Sequence, residues 1–586
     1  MEIAPESPPA APGPAARPSP DRARPAGTPR HRPGRKTDGW APSAWAAHVA
    51  LAAAVVGAAV RIEQFGWRRS LWLDEALITA NIVHRSFAGL LHPLSGEQGA
   101  PIGWLWGERL AVVVFGNNEY ALRAIPLLAG MAAIALVYRV VKPVAGPWAA
   151  ALATTLLALS PDAVRYSVEV KQYSSDLAVA LALAVVGRWA LRGSRRSLAL
   201  WGVAGAVAVW CSHPAVFVLA ATALVLALSH RRTPHRLLGV GLASAGWLLS
   251  FGTDWLVSLR QLGANSYLHQ YWSAGFAPTP FRLGADLTWL WRAPVRVAAE
   301  PGGMPAAGLA AAVILAGFAW ALRTRPREAA LAALPIVAGL AGGAVGAYPF
   351  EGRMALWLLG FVVAGLAAAA AGAAALLQAG HDAVFRLDQA AHLDARRSRR
   401  WGAGVVAVAC VAFLVQGPIR QVGDVAHDPT TWIDLRPLLQ AVRPLMRPGD
   451  LVWVHSGDAP SAAYYAISTK VTPTSVVYDG PDAQACPGDP AIAGVADKGR
   501  VWFVFGYQSS TTDGDEQAEI ESWLASSAHL EGRVTRPQAT ATLWDFAGPP
   551  DAPDATHALR CVSLLPAGVP VPTGLSSGPL GSGTPT

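Results

Sequence analysis

Long apolar runs separated by short polar segments fill the chain from residue 44 to residue 418. The runs lie at 44–60, 119–141, 144–160, 173–191, 198–212, 214–229, 236–258, 304–322, 329–348, 353–378 and 401–418. Each is close to the roughly 20 residues that cross a hydrocarbon core, so the pattern predicts about eleven transmembrane helices. A further apolar run, Pro101 to Gly116, carries Glu108 and Arg109 in its middle. Charges at mid-membrane are expensive, and this run reads as an interfacial helix.

The basic residues test that count. Walking the spans from a cytoplasmic N-terminus puts Arg139 and Lys142 inside, then Arg188, Arg192, Arg195 and Arg196, then Arg231, Arg232 and Arg236. Arg323, Arg325 and Arg327 follow, and then Arg386 with Arg396, Arg397, Arg399 and Arg400. All obey the positive-inside rule, and counting Pro101–Gly116 as a span would break it. The same walk puts 62–118, 161–172, 259–303 and everything after about residue 419 on the extracytoplasmic side.

The pattern changes at both ends. Residues 1–40 hold ten prolines, seven Lys or Arg and four acids, with few large apolar side chains, and read as a disordered cytoplasmic tail. No apolar signal core precedes the first run, which reads as an uncleaved span. From Trp432 the chain alternates helical and strand-like stretches: helical 433–446, LVWVH at 451–455, helical 459–467, SVVYD at 475–479, VWFVFG at 501–506 and a helical 514–527. The expected organisation is a transmembrane core over 41–420, an extracytoplasmic α/β domain over 421–561 built as a three-layer sandwich, and a disordered tail over 562–586. No GxGxxG accompanies GDLVWVHSGD, so nucleotide binding there has no support.

Composition narrows the function. With 52% apolar and only 15% charged residues the chain is no purely soluble enzyme. Its net charge of +8 sits between the apolar runs and in the N-terminal tail, which does not suit nucleic acid. Four cysteines lack metal-ligand spacing; Cys211 and Cys410 lie in apolar runs, while Cys486 and Cys561 lie in the C-terminal domain and pair as a disulfide if the geometry permits.

Candidate chemistry concentrates in the loops. RRSLWLDEALITANI places Asp74 and Glu75 side by side just after the first span. Two readings fit: a general base beside an orienting or metal-binding acid, or acids in the first turn of a helix. SPDAVRYSVEVKQYSSD packs Asp162, Arg165, Tyr166, Glu169, Lys171, Tyr173 and Asp176 between two spans. On a helix Arg165 with Glu169, and Glu169 with Tyr173, would be i, i+4 partners. A solvated helix start with Tyr and Lys anchors fits as well. In YPFEGR, Arg353 opens a span, as a phosphate fork or as a snorkelling anchor. His213, in CSHPAV, fits a ligand, an acid/base or a turn residue, and ANSYLHQYWSAGFAPTP, with His269, fits a substrate-covering loop or an interfacial belt.

Taken in order, the Asp-Glu pair, PIGWLWGERLAVVVFGNNEYALR, SPDAVRYSVEVKQY and YPFEGR resemble the GT-C membrane glycosyltransferases, in the bacterial branch of protein O-mannosyltransferases and lipid A aminoarabinose transferases. The resemblance covers roughly residues 44–420. It implies a polytopic α-helical core, a polyprenyl-phosphate-sugar donor, and a glycan, lipid or protein acceptor of the cell envelope. It implies Asp74 as catalytic base with Glu75 beside it, and Glu169 as the second loop's acid. Arg165, Lys171 and Arg353 would hold the lipid phosphate, and Tyr166, Tyr173, His213 and His269 would contact substrate. A divalent metal is compatible with this set but is demanded by no ligand spacing. The composition fits a bacterial plasma-membrane protein, with mannose or arabinose on the lipid. The rival readings are a flippase for lipid-linked sugars, which would carry charges at mid-membrane and broken helices, and a non-catalytic scaffold with an extracytoplasmic binding domain.

Overall fold

The computed structural model describes residues 42–278, 283–385, 405, 408–409, 411–417, 420, 433–471, 475–476, 499–506 and 513–551. Residues 1–40, Cys410, Cys486 and Cys561 lie outside them, and with these the expected N-terminal tail and the expected disulfide.

Helices α1 (Pro42–Gly66), α2 (Leu73–His84), α3 (Ile102–Phe115), α4 (Glu119–Ala145), α5 (Pro147–Ala158), α6 (Pro161–Arg165) and α7 (Tyr173–Ala190) form the first half of a helical assembly. It continues through α8 (Arg195–Cys211), α9 (Ala215–His230), α10 (Pro234–Asp254), α11 (Arg260–Gly263), α12 (Ser266–Tyr271), α13 (Leu283–Ala299), α14 (Ala307–Thr324), α15 (Pro326–Ala344) and α16 (Leu359–Phe385). Helix α4 packs on α5, α7 and α16, α8 on α10, α9 on α15 and α14 on α16, around one apolar core. Among the described residues five helical segments are long and apolar enough to cross a membrane: Ala44–Gly66, Glu119–Ala145, Ala307–Thr324, Pro326–Ala344 and Gly352–Gln378. Apolar α5 and α9, with 12 and 16 residues, fall short of a span's length.

Small residues let the helices approach. A Cβ on Gly317 of α14 would lie 2.1 Å from the Gly365 carbonyl and 2.6 Å from the Ala369 nitrogen of α16, so only hydrogen fits at that crossing. Helix α1 runs past Arg61, where the sequence placed its exit. The buried Arg61 guanidinium donates to the Leu157 and Ala158 carbonyls at the end of α5, and so meets acceptors that the last turn of a helix leaves open.

The C-terminal region adds a five-stranded sheet and three helices: α17 (Leu435–Val442), β1 (Leu451–Val454), α18 (Ala459–Thr469), β2 (Ser475–Val476), β3 (Arg500–Phe505), α19 (Asp513–Ser527), β4 (His529–Arg536) and β5 (Ala539–Asp545). The strand order is β2-β1-β3-β5-β4, with β1 parallel to β2 and β3, and β5 antiparallel to β3 and β4. Pairing Val452 with Trp502 and Trp453 with Phe503 sorts side chains by the two-residue period. Val452, Val454, Trp502 and Val504 meet α17 and α18, while Trp453, Phe503 and Phe505 meet α19, which makes the three layers. The hairpin β4–β5 was not foreseen: HLEGRVTR is a polar edge strand whose exposure alternates, with little apolar signal to read.

The first of these apolar faces does not stop at the domain. Leu71, Trp72, Ala76, Ile78 and Ile82 of the first loop share its core, so the sheet domain is packed on α2. From the other side α2 is pinned by a buried ion pair: Arg123 of α4 holds both Glu75 oxygens, at 3.0 and 2.8 Å. Burial pushes the Glu75 carboxyl up, but Arg123 and Arg69 outweigh it and hold it below the usual carboxylate range.

Two outcomes follow. Glu75→Gln leaves Arg123 buried without its countercharge and should lower the unfolding free energy of the detergent-solubilised protein by about 3–5 kcal/mol in a denaturation titration. Gly317→Ala should lower the melting temperature, whereas Gly246→Ala, on α10 with nothing within 4 Å of the added methyl, should leave it level or slightly higher.

Candidate active site

Helix α2 begins after Trp72, so Asp74 and Glu75 do occupy a first turn, but no side chain caps that end. Adjacent helical residues point about 100° apart. Glu75 therefore turns into the protein, its side chain 1% exposed, and Asp74 turns to a partly open face, 19% exposed. The two side chains thus face different surroundings.

Asp74 meets two cations. Arg353 donates from Nη1 to Asp74 Oδ2 at 2.7 Å, and Lys171 Nζ lies 4.0 Å from the same oxygen. Gly352, with φ at +47°, opens the 3-10 turn Gly352–Leu358 and presents Arg353 there, in a backbone conformation that suits glycine. The Arg353 guanidinium lies 5.2 Å from the centre of the Trp272 ring. Lys171 also donates to Gln98 Oε1 at 2.9 Å, and Gln172 to the Gly99 carbonyl, so the first loop clasps the second. Burial raises the Asp74 carboxyl, but Lys171 and Arg353 reverse it and hold it below the usual 3.8. Burial lowers the Lys171 ammonium from the usual 10.5, against the pull of Asp74.

The second loop is not the continuous helix that i, i+4 spacing suggested. Helix α6 ends at Arg165, a 3-10 turn covers Tyr166–Val168, and Glu169 is extended, with φ −114° and ψ 146°. The β-branched Val168 and Val170 disfavour helix, and the Val170 amide donates instead to Glu75 Oε1 at 2.7 Å. Arg165 still bonds Glu169, at 2.8 Å, but Glu169 is turned away from any helical partnership with Tyr173. Arg69 reaches Glu169 at 3.9 Å and donates to the Val168 carbonyl. Glu169 is thus buried between two arginines, and Arg165 adds a weaker pull on Asp74.

Tyr166 and Tyr173 stack edge to face, 5.2 Å apart, and Arg165 lies 5.0 Å over Tyr166. Burial, with Glu169 nearby, pushes the Tyr166 phenol up. His213 lies in the turn between α8 and α9, its Nε2 without a partner, and burial pushes the imidazole down to about 4. His269 stacks on Phe276 at 4.9 Å and, with Gln270, Arg292 and Arg296, lines a cavity of about 1080 Å³. Among the described residues no hydrogen bond or ion pair joins either histidine to Asp74, Lys171 or Arg353. Nor do three His, Cys, Asp or Glu side chains come together there as a metal site.

Sequence reasoning passed over Gln98, Arg123 and Trp272. Arg123 carried a readable signal, an arginine in the opening turns of an apolar span, since a charge there needs a partner. Trp272 lies in the aromatic segment that was noticed for His269. Gln98 offers no signal in SGEQGAP.

Comparison with known proteins extends the resemblance. Residues 99–252 match the family of dolichyl-phosphate-mannose-protein mannosyltransferases. A search of curated proteins finds no match. Among solved structures the chain is similar to ArnT from Cupriavidus metallidurans bound to undecaprenyl phosphate, at 15% identity over 86% of this chain and 98% of that one, with a TM-score of 0.46. It is also similar to the oligosaccharyltransferase AglB from Archaeoglobus fulgidus in complex with an inhibitory peptide and a dolichol-phosphate, at 12% identity over 86% and 74%, with a TM-score of 0.43. Two of the motifs that carry the resemblance, PIGWLWGERL and SPDAVRYSVEVKQY, lie inside the stretch that matches the mannosyltransferase family.

Proposed function

We propose that the chain is a multi-pass membrane glycosyltransferase. It moves a mannose- or arabinose-like sugar from a polyprenyl-phosphate donor to an acceptor hydroxyl of a cell-envelope glycan, lipid or protein. In this reading about eleven spans place the site and the C-terminal domain on the extracytoplasmic face of a bacterial plasma membrane. The observation that carries the reading is the partly open Asp74, which shares Arg353 and Lys171, while Glu75 and Glu169 are buried against arginines of their own.

The chemistry uses that sharing. The donor's phosphodiester matches a carboxylate in charge and in free oxygens, so it competes for Arg353 and Lys171, and it gains a further charge for them to hold as its bond to the sugar breaks. As they turn to the phosphate, Asp74 loses the cations that depress it and becomes a better base. The acceptor oxygen attacks the anomeric carbon, its proton passes to Asp74, and the bond from that carbon to the phosphate oxygen breaks. The electron pair leaves on the phosphate, where Arg353 and Lys171 meet the growing charge. One displacement inverts the anomeric configuration.

Around that centre Glu75 and Glu169 hold position: Glu75 fixes α2, and Glu169 gathers Arg165 and Arg69. Tyr166 and Tyr173 suit a wall for the sugar. His213 and His269 are proposed as substrate contacts on sequence position alone.

In reconstituted vesicles with radiolabelled polyprenyl-phosphate mannose or arabinose, the wild type should move label to acceptor, and Asp74→Asn should lose about 100- to 10,000-fold in kcat while expressing normally. Normal transfer by that variant would sink the assignment of the base. The pH dependence has a definite sign. Asp74 is depressed and so stays charged as pH falls from neutral, and kcat/KM should hold until below pH 3.8. Lys171 loses its proton below the usual 10.5, so an alkaline limb should appear there and move upward in Lys171→Arg.

A further inference from the structure

Between α1 and α2 runs a strap of six residues, Trp67–Trp72, that leads directly to Asp74. Much of its hydrogen bonding goes to the C-terminal domain. The Leu71 amide donates to the Tyr465 hydroxyl of α18 at 2.8 Å. The Arg436 amide of α17 donates to Ser70 Oγ at 3.0 Å, and its guanidinium donates to the Arg68 carbonyl. Beneath these lies Glu119, the first residue of α4, which is 3% exposed. It accepts from Arg68 at 3.0 Å, from the Tyr465 hydroxyl at 3.1 Å, and from Arg436. One carboxylate thus ties the strap, α4 and two helices of the C-terminal domain together.

The strap is held from its other side by Arg123, which donates to the Arg69 and Ser70 carbonyls as well as to Glu75. Arg68 takes φ +47°, a strained value for a residue with a side chain, so its conformation persists only while its surroundings enforce it. Those surroundings are Glu119, Arg436 and the Tyr120 ring. Leu71 and Ser70 are buried, and Asp74 lies three residues beyond Leu71. A shift of the strap is therefore transmitted to the first turn of α2.

We infer that the C-terminal domain is a positioning element for the transfer reaction: Tyr465 and Arg436, acting with Glu119, set the strap and through it the aim of Asp74 at the reacting hydroxyl. The inference rests on the proposed role of Asp74. It assigns a task to a domain for which the sequence offered no motif. These are positioning residues, and none touches Asp74, Lys171 or Arg353 among the contacts described. Since misplacing a base by an ångström costs turnover more than binding, their loss should appear in kcat and leave the donor KM near its original value.

The test uses the full chain in lipid nanodiscs, with decaprenyl-phosphate mannose and decaprenyl-phosphate arabinose as donors. Tyr465→Phe removes one hydroxyl and with it the bonds to Leu71 and Glu119. Tyr464→Phe is the control: on the same helix it loses a bond to Asn117, which lies outside the strap. Ser70→Ala is the second variant, removing the acceptor for the Arg436 amide without touching the domain. Hydrogen–deuterium exchange over 67–76 is read alongside kcat and KM.

The clamp predicts that Tyr465→Phe speeds exchange of the strap at least tenfold and lowers kcat at least tenfold, with KM within twofold, while Tyr464→Phe does neither. Strap exchange unchanged in Tyr465→Phe, or raised with kcat intact, overturns it, as does an equal loss in Tyr464→Phe. If Tyr465→Phe fails to fold, Ser70→Ala decides by the same criteria. A wild type that turns over neither donor fails the transfer reading instead, and the exchange measurement then decides the clamp alone.

Discussion

A carboxylate and a guanidinium taken out of water return their desolvation cost only when the geometry is good and their remaining hydrogen-bonding groups are also met. Glu75 and Arg123 meet that condition. Both Glu75 oxygens are engaged by the guanidinium, one also accepts the Val170 amide, and the remaining arginine donors go to the Arg69 and Ser70 carbonyls. The pair therefore joins three stretches of chain at once: the start of α2, the first turns of α4 and the second loop. Asp74 and Lys171, the residues next along each loop, have their places set by it. The pin thus fixes the start of α2 against the helix bundle, and with it the place of Asp74.

The same economy of charge separates the acids around the proposed site. Glu75, Glu119 and Glu169 are each buried with arginines, fixed in geometry and committed. Asp74 alone of this group shares its cations across a partly open face, which a phosphate can enter. Helix geometry thus separates the buried Glu75 from the partly open Asp74, which differ by one residue and about 100° of rotation.

Much of this was legible in the sequence because hydropathy and charge act over long stretches. The positive-inside walk put 62–118, 161–172 and 259–303 on one side together with Arg353, and the structure brings Asp74, Lys171, Trp272 and Arg353 from those stretches into contact. In the C-terminal domain Leu451–Val454 and Arg500–Phe505 were readable as strands from their apolar runs. What escaped depends on partners distant in sequence. Nothing near Glu75 announces Arg123, 48 residues away, and nothing near Leu71 announces Tyr465, 394 residues away. The i, i+4 pairing that a helix would have given Glu169 and Tyr173 was lost for a similar reason: a β-branched pair and the acceptor offered by Glu75 drew the Val170 amide elsewhere. The count of spans shows the limit of hydropathy itself, since α5 is shorter than the run that predicted it and α9, as long as its run, is still short of a span.

In the proposed reaction, lipid phosphate displaces Asp74 from Arg353 and Lys171. The most direct measurement is an electron cryomicroscopy structure of the full chain in nanodiscs with an excess of decaprenyl phosphate. The account predicts density for the phosphate within hydrogen-bond reach of both Arg353 and Lys171, with the 2.7 Å contact between Arg353 and Asp74 lengthened or lost. A phosphate bound elsewhere, with that contact intact, would contradict it.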